Sequence, residues 1–354
     1  MISTPHIHPA IVIGGGQSGL ATAYYLRRYG IEHLILDDQD RPGGAWLHVW
    51  PSMTLFSNAA SSNLPGMPMP GYPGFPPADH VIEYLEEYEK RYGLGVERKV
   101  EVTDVQYRTA ADPAEAAADG IYVVTAADGR QWHARNIVAA TGTWSQPFIP
   151  AVPGHYEGQQ WHSANYPGPQ PFEGATVAVV GAANSAAQIA GDLIAADGVG
   201  EVTWYTRHEP RWMPDDVDGR VLFRRSRERL NAIQRGEPDR GPDSQLGDIV
   251  ALPHLQRLRN AGLLYPTPMF DNLDEVSTDH LIWCTGFRPA LRPFRHVLHG
   301  RDPLHDGFYF VGYGNWVGPG AATITGVSPF ARNAAKAIAQ RCAKKIAVKN
   351  SSRK

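Results

Sequence analysis

The segment AIVIGGGQSGLATAYYLRRYGIEHLILDD, residues 10–38, decides the fold. Its hydrophobic pattern predicts a strand ending at Ile13, a glycine-rich turn, a helix to Tyr29 and a second strand reaching Leu36. The turn has the spacing G-x-G-x-x-G, which permits a tight turn, a close approach of the backbone to a pyrophosphate and close packing of helix on strand. The three glycines are Gly14, Gly16 and Gly19. The sequence therefore predicts a Rossmann-type dinucleotide site.

Polar groups complete this first site. Gln17 and Ser18 begin the helix, whose free N–H groups and positive dipole end favour a diphosphate. Asp37 follows about twenty residues later, where a carboxylate accepts hydrogen bonds from a ribose hydroxyl. A glycine-rich turn alone is a weak signal, but here the strand, the helix and the acid are in register.

A second copy of the pattern begins at Thr176 with the strand 176–180. An alanine stands at the second glycine position of this copy, and its methyl group should hold the backbone slightly farther from a diphosphate. The candidate binding residues of the turn and the following helix are Gly181, Ala183, Asn184, Ser185 and Ala186. We expect this site to bind a dinucleotide less closely than the first.

The strand after the second turn ends on cations. Arg207 stands where the first copy has its acid, and His208 follows it. A cation there favours the 2′-phosphate of NADPH, and one charge-assisted hydrogen bond of about 1.5–3 kcal/mol gives roughly a ten- to hundredfold preference. The alternative is an exposed arginine that has no ligand.

Two dinucleotide sites in one chain predict two dinucleotides: FAD in the first, NAD(P)H in the second, with hydride transfer between them. Strand–turn–helix units build parallel sheets, so the fold class is α/β with two Rossmann-like domains. We predict a three-layer ββα FAD domain of the disulfide-reductase type at residues 1–152 and 281–354, with the NADPH domain inserted at 153–280. The Arg-rich residues 212–246 predict a charged helical insertion, either solvated or acting as a lid.

Composition excludes other classes. With 33 Lys and Arg against 36 Asp and Glu, neither nucleic acid nor an anionic membrane is an expected partner. Cys284 and Cys342 are the only cysteines, which excludes a disulfide framework or a Cys-x-x-Cys reductase and suits the cytoplasm. His6 and His8 have no evident third ligand, so we predict no metal site. Without an export signal or a long apolar run, we expect a soluble cytoplasmic protein. Its partner is a small molecule, and its oligomeric state, a homodimer included, stays open.

A third pattern lies between the two sites. In YEGQQWHSANY, residues 156–166, the spacing is F-x-G-x-x-x-H-x-x-x-(Y/F/W), with Tyr156 replacing the Phe. Four further segments carry the same likeness: PGGAW at 42–46, AATGTW at 139–144, CTGFRP at 284–289 and GFYFVGYGNWVGPGAATITGV at 307–327. Together they resemble the flavin-containing monooxygenases and their Baeyer–Villiger relatives, the class B flavoprotein monooxygenases, in a small bacterial form. These segments add the candidate cofactor residues Gly44, Ala45, Trp46, Thr141, Gly142, Thr285, Gly286 and Asn315.

The resemblance implies an activity. NADPH reduces FAD, oxygen adds at flavin C4a, and the hydroperoxide passes an oxygen atom to the sulfur of a thioether or the nitrogen of an amine. A deprotonated peroxide implies oxygen insertion beside a ketone. Two alternatives remain: an NAD(P)H oxidase or flavin reductase without a stable hydroperoxide, and a non-catalytic redox sensor. Molecular oxygen is a second substrate only of the monooxygenase and the oxidase.

The resemblance also suggests catalytic residues. In many members an asparagine touches flavin and nicotinamide in a segment like LFSNAASS, and here either Asn58 or Phe56 takes that position. An aromatic ring would exclude water without donating a hydrogen bond. His162 either fixes the domain junction or acts in acid–base chemistry. The pair Arg207 and His208 departs from the family's Arg–Thr, so we expect NADPH to be preferred and NADH accepted.

Overall fold

The chain folds around two five-stranded parallel sheets. A computed structural model describes residues 6–109, 120–239, 241 and 247–351, with side chains as far as residue 344. The strands are β1 Ile7–His8, β2 Ala10–Ile13, β3 His33–Leu36, β4 Val96–Glu97, β5 Val102–Arg108, β6 Ile121–Ala126, β7 Gln131–Ala134, β8 Ile137–Ala139, β9 Gln159–His162, β10 Val177–Val180, β11 Val202–Thr206, β12 Pro266–Pro268, β13 His280–Trp283, β14 Leu298–His299, β15 Asp302–Pro303 and β16 Phe308–Phe310. The α-helices are α1 Gln17–Arg28, α2 Ala78–Tyr92, α3 Asn184–Ala195, α4 Gly219–Gln234, α5 Pro253–Asn260 and α6 Ser328–Ser351. Across the described residues, none of these helices has both the length and the apolarity needed to cross a bilayer.

The first sheet carries the glycine-rich turn. Its strand order is β16-β8-β2-β3-β4, and every pair is parallel. Successive residues of a strand point to opposite faces. Ala10 and Val12 of β2 therefore pack against α1, α2 and α6. Ile11 and Ile13 pack against a four-stranded sheet of order β1-β7-β6-β5. Helices, parallel sheet and four-stranded sheet thus form three layers.

The second sheet has the order β12-β11-β10-β13-β9 and is also wholly parallel. On one face, Val177 and Val179 of β10 share a core with residues of α3 and α5. On the other face, Ala178 and Val180 share a smaller core with Phe270. The predicted α/β class with two Rossmann-like units is confirmed.

Strand β13 bears on the predicted division into domains. It pairs with β10 on one side and with β9 on the other, so it belongs to the second sheet. The predicted change of domain between residues 280 and 281 falls inside this strand, and the chain leaves the second sheet only after Trp283. The apolar run LIW, residues 281–283, suits a buried strand of either sheet. The domain limits stay a prediction, and a boundary after Trp283 would keep β13 whole.

The Arg-rich segment forms α4, while residues 240 and 242–246 of the predicted insertion lie outside the described residues. The backbone N–H of Gly219, the first residue of α4, donates to the carbonyl oxygen of Phe56 at 2.7 Å. The rings of Phe56 and Phe223 lie 6.2 Å apart. The insertion therefore packs on the segment around Phe56, which a purely solvated helix would not do.

Candidate cofactor and active site

A cavity of about 720 Å³ opens beside the glycine-rich turn of the first sheet. This volume is within the range of small-molecule sites. Its wall comes from the β2–α1 turn, the end of β3, the 3-10 helix Gly44–His48 and the turn after β8. The predicted cofactor residues that line it are Gly14, Gly16, Gln17, Ser18, Asp37, Gly44, Ala45, Trp46, Thr141 and Gly142. The fold thus gathers residues that are distant in sequence.

Two glycines of the turn are required by the protein itself. Gly14 has a φ of +109°, and a Cβ there would lie 2.4 Å from the carbonyl oxygen of Ala140. A Cβ on Gly19 would lie 1.8 Å from the carbonyl oxygen of Gly14, so a larger residue would push α1 off β2. Gly16 differs, because a Cβ there would meet only the Cα of Gly44, at 3.6 Å. Since both residues line the cavity, the space above Gly16 fits a phosphate-bearing ligand.

Asp37 is buried and forms an ion pair with Arg98, which also binds the carboxylate of Glu89. Burial raises the pKa of the Asp37 carboxyl, and the backbone N–H of Gly15 and the Arg98 guanidinium oppose that rise. Arg98 was not predicted, because a single arginine after a helix carries no motif. It fixes the carboxylate at the position where a ribose hydroxyl would be recognised.

Hydrogen bonds tie the cavity wall to the C-terminal part of the chain. The indole Nε1 of Trp46 donates to Gln17 Oε1 at 3.0 Å, and Gln17 Nε2 donates to the carbonyl oxygen of Ala322 at 2.7 Å. Thr141 Oγ1 donates to the carbonyl oxygen of Ala290 at 2.7 Å. Thr141 also contacts the hydroxyl of Tyr313 at 2.7 Å. These bonds connect the wall of the cavity to residues 290, 313 and 322.

The C-terminal return contributes residues other than the predicted one. Gly312 and Ala322 line the cavity, whereas Asn315 is exposed and outside it. A Cβ on Gly312 would lie 2.0 Å from Ser18 Oγ, so the strand-to-loop turn needs a glycine there. The first glycine of the segment VGYG, residues 311–314, was the signal that could have identified this position.

A second cavity, of about 710 Å³, lies at the ends of β11 and β12. Arg207 and His208, the predicted partners of a 2′-phosphate, both line it. Glu209 and Asp271 line it too, which the sequence did not predict. Two carboxylates in the same wall reduce the attraction of the site for an anion.

The glycine turn of the second unit does not line that cavity. Gly181, Ala183, Ser185 and Ala186 lie at the start of α3. The amide of Asn184 donates to the carbonyl oxygen of Asp248 at 3.0 Å and accepts from the N–H of Val250 at 2.9 Å. That side chain therefore holds the backbone of residues 248–250, which follow the insertion.

His162 is the last residue of β9 in the second sheet and is buried. Its Nδ1 accepts from the N–H of Ala164 at 3.1 Å, so the proton of the neutral ring is on Nε2. Within the described residues Nε2 has no hydrogen-bond partner. Burial lowers the pKa of His162, and the backbone groups of Gly286 and Phe148 oppose that shift. The rings of His162 and Phe287 pack edge to face, with their centroids 5.0 Å apart. Thr285 and Gly286, both predicted cofactor residues, directly precede Phe287 in the chain. Thr285 Oγ1 donates to the carbonyl oxygen of Phe148 at 2.5 Å. Packing of this kind suits a residue that fixes the junction.

Neither Phe56 nor Asn58 lines the 720 Å³ cavity, which is called the flavin-sized cavity below. Asn58 caps a short 3-10 helix, and its Oδ1 accepts from the N–H of Ser61 at 3.1 Å, as Asn often does. Phe56 is half-buried under α4. The segment predicted to touch the flavin therefore contacts the insertion instead.

The N-terminal histidines lie nearer to a third ligand than the sequence suggested. Ligand atoms of His6, His8 and Glu32 all lie within 4.8 Å of one another. Glu32 comes from the loop before β3, so no local spacing indicated it. The three side chains are mostly exposed. The contact between His6 Nε2 and Glu32 Oε1, at 3.2 Å, explains why they lie close together.

The chain is similar in sequence and in structure to known oxidoreductases. A sequence profile described as pyridine nucleotide-disulphide oxidoreductase matches residues 11–306. The solved structure of a flavin-containing monooxygenase from Stenotrophomonas maltophilia is 37% identical, covers 96% of this chain and 100% of that one, and has a TM-score of 0.80. An uncharacterized CzcO-like oxidoreductase of Geobacillus kaustophilus is 29% identical over 91% of this chain and 95% of its own length. Indole-3-pyruvate monooxygenase of Oryza sativa subsp. japonica is 30% identical over 52% of this chain and 44% of its own length.

The two parallel sheets and these likenesses define an oxidoreductase that uses a flavin and a nicotinamide cofactor. The chain belongs to the pyridine nucleotide-disulphide oxidoreductase family and, within it, to the flavin-containing monooxygenases. The expected membership is therefore confirmed.

Proposed function

We propose that this chain binds FAD in the 720 Å³ cavity, accepts a hydride from NADPH or NADH, and transfers one oxygen atom of O₂ to a soft nucleophile. Thioethers and amines are the proposed substrates, with oxygen insertion beside a ketone as a further reaction. The observation that carries this proposal is the cavity that gathers Gly16, Asp37 and Trp46. A bound flavin would supply electron transfer and oxygen activation.

The residues of the cavity suit FAD. The N-terminus of α1 has no side-chain cap, so its first amide groups are available to a diphosphate. The carboxylate of Asp37, fixed by Arg98, is the proposed partner of a ribose hydroxyl. The indole of Trp46 and the amide of Gln17 would fix the wall beside the flavin.

The second cavity is the proposed site of the adenosine phosphate end of the nicotinamide cofactor. Arg207 and His208 would attract the 2′-phosphate of NADPH, and Glu209 and Asp271 would weaken that attraction. This balance supports NADPH as the preferred donor and NADH as an accepted one. We assign residues 1–152 and the chain after Trp283 to the FAD domain, and the segment between them to the nicotinamide domain.

An NAD(P)H oxidase is the second candidate. It is favoured by the position of Asn58, whose amide caps a helix and does not line the flavin-sized cavity. Without a hydrogen bond from that amide, we expect part of the reduced oxygen to leave as hydrogen peroxide.

A balance of products tests the proposal. Purified enzyme loaded with FAD is given NADPH and methyl phenyl thioether, and NADPH consumed, sulfoxide formed and hydrogen peroxide released are measured together. We expect sulfoxide and peroxide in amounts that sum to the NADPH consumed. Peroxide equal to the NADPH consumed, with no sulfoxide, would establish the oxidase instead.

A further inference from the structure

A third cavity, of about 330 Å³, lies between α4, the segment after Asn58 and the C-terminal return of the chain. Phe223, Arg227 and Leu230 of α4 form one side of it. Leu64 and Pro319 line the opposite side. The volume is at the lower end of the range for small-molecule sites. It is separate from the two cavities that would hold the dinucleotides.

The wall combines a mainly apolar surface with a single charge. Among the described lining residues, Arg227 is the one charged group, and no acid faces it across the cavity. Arg227 is exposed and has no ion-pair or hydrogen-bond partner among the described residues. Other arginines of the same helix differ: Arg220 binds Asp218 at 2.8 Å and Arg229 binds Asp239 at 2.6 Å. A guanidinium left without an acid at a cavity rim is suited to a carboxylate ligand.

The cavity lies close to the proposed flavin site. Its lining residue Thr323 follows Ala322 in the chain, and Ala322 lines the flavin-sized cavity. Gln17, also in that wall, donates to the carbonyl oxygen of Ala322 at 2.7 Å. The two cavities therefore meet at the backbone of residues 322 and 323. A ligand in the smaller cavity would lie next to the proposed flavin site.

We propose that this cavity is the substrate site and that it selects small, mainly apolar nucleophiles bearing one carboxylate, held by Arg227. The inference rests on the proposed oxygenation and adds the class of substrate. Arg227 acts as a binding residue, because its guanidinium would hold the carboxylate and take no part in oxygen transfer. Loss of one exposed charge-assisted contact is expected to weaken binding about three- to tenfold.

Matched thioethers test the proposal. (Phenylthio)acetate carries the negative charge that its methyl ester lacks, and the ester is larger by only one methyl group. The kcat and KM of both are measured with wild type, Arg227→Gln and Arg227→Glu. Arg224→Gln is the control, because Arg224 is exposed on the same helix but does not line the cavity. We expect Arg227→Gln to raise KM for the carboxylate about three- to tenfold and to leave the ester unchanged, with a larger rise for Arg227→Glu. Arg224→Gln should alter neither.

A binding measurement separates failure of this site from failure of the oxygenation. Titration calorimetry of (phenylthio)acetate into the FAD-loaded enzyme needs no turnover. If neither thioether is oxidised but the carboxylate binds more weakly to Arg227→Gln than to wild type, the proposed substrate site is supported and the proposed oxygenation is not. If Arg227→Gln changes carboxylate and ester alike, or changes carboxylate binding no more than Arg224→Gln, the site is overturned.

Discussion

At the scale of single residues, the first cavity depends on a carboxylate kept in place by a neighbouring cation. Arg98 lies between Asp37 and Glu89, and all three side chains are largely removed from solvent. Burial raises the pKa of both carboxyls. An acid whose pKa is raised on folding stabilises the fold below its unfolded pKa, and this contribution is lost as pH rises through the folded pKa.

Arg98→Ala should therefore destabilise the protein most at alkaline pH. Without the guanidinium the two carboxylates can be neutralised only by protonation, so we expect a loss of about 2–4 kcal/mol at pH 8 and clearly less at pH 5. Urea denaturation at both pH values measures this. Arg130→Ala, which removes a more exposed ion pair with Glu97, is the control and should cost about 1 kcal/mol or less. An equal loss at the two pH values would contradict the account.

Coenzyme choice is also set by single charges. Arg207→Ala should raise the KM for NADPH about tenfold and change the KM for NADH less than about twofold, because only NADPH carries the 2′-phosphate. Glu209→Gln, which removes an opposing charge from the same cavity, should lower the KM for NADPH. Steady-state kinetics with both donors measures these effects. Similar changes for NADPH and NADH in Arg207→Ala would exclude its contact with the phosphate.

At the scale of elements, the β2–α1 turn contains glycines with different roles: Gly19 is needed for folding, and Gly16 is expected to be needed only for cofactor binding. Gly16 has a φ of −78°, which alanine adopts freely, and a Cβ would meet no protein atom closer than 3.6 Å. Gly16→Ala should therefore fold with a stability within about 1 kcal/mol of wild type, yet lose FAD because its methyl group occupies the diphosphate position.

Fluorescence titration with FAD and thermal denaturation of the apoprotein test this together. We expect the FAD dissociation constant to rise at least about tenfold. Gly19→Ala is the comparison, because its Cβ would lie 1.8 Å from the Gly14 carbonyl oxygen and should disrupt the fold itself. Normal FAD affinity in Gly16→Ala would mean that the diphosphate lies elsewhere.

The first residue of α4 gives a second test on an element. Alanine is normally favoured over glycine in a helix by about 1 kcal/mol. At Gly219, however, a Cβ would lie 2.8 Å from both Phe56 Cδ2 and Ser57 Cβ. We expect Gly219→Ala to destabilise the protein by about 1–3 kcal/mol and to raise the fraction of NADPH that yields peroxide, because α4 moves off the segment it covers. Gly71→Ala, where a Cβ meets nothing within 4 Å, is the control; the same peroxide fraction in both variants would show that α4 does not protect the site.

Elements formed by local sequence were predictable, and contacts between distant segments were not. The strand, turn and helix of residues 10–38 agree with the pattern because hydrophobic period and glycine spacing act over a few residues. The roles of Asn58 and Asn184 escaped prediction, because each depends on which backbone group the amide meets. The packing of Gly219 on Phe56 and the pairing of β13 also depend on long-range assembly.

At the scale of the whole molecule, the chain forms two parallel-sheet units, and α4 packs against the segment around Phe56. The first unit offers the larger gathering of predicted cofactor residues, and the second offers the mixed-charge cavity. The 330 Å³ cavity lies where the insertion meets the first unit. This arrangement would bring a substrate in the 330 Å³ cavity next to the flavin. We therefore expect oxygen transfer to the substrate, and not electron transfer alone.

Turnover under ¹⁸O₂ tests that claim most directly. FAD-loaded enzyme, NADPH and methyl phenyl thioether are incubated in ordinary water with isotopically enriched oxygen, catalase is added to remove free peroxide, and the sulfoxide is examined by mass spectrometry. The account predicts sulfoxide carrying one ¹⁸O atom from the gas. Sulfoxide that carries oxygen from water, or NADPH consumption without any labelled sulfoxide, would contradict it.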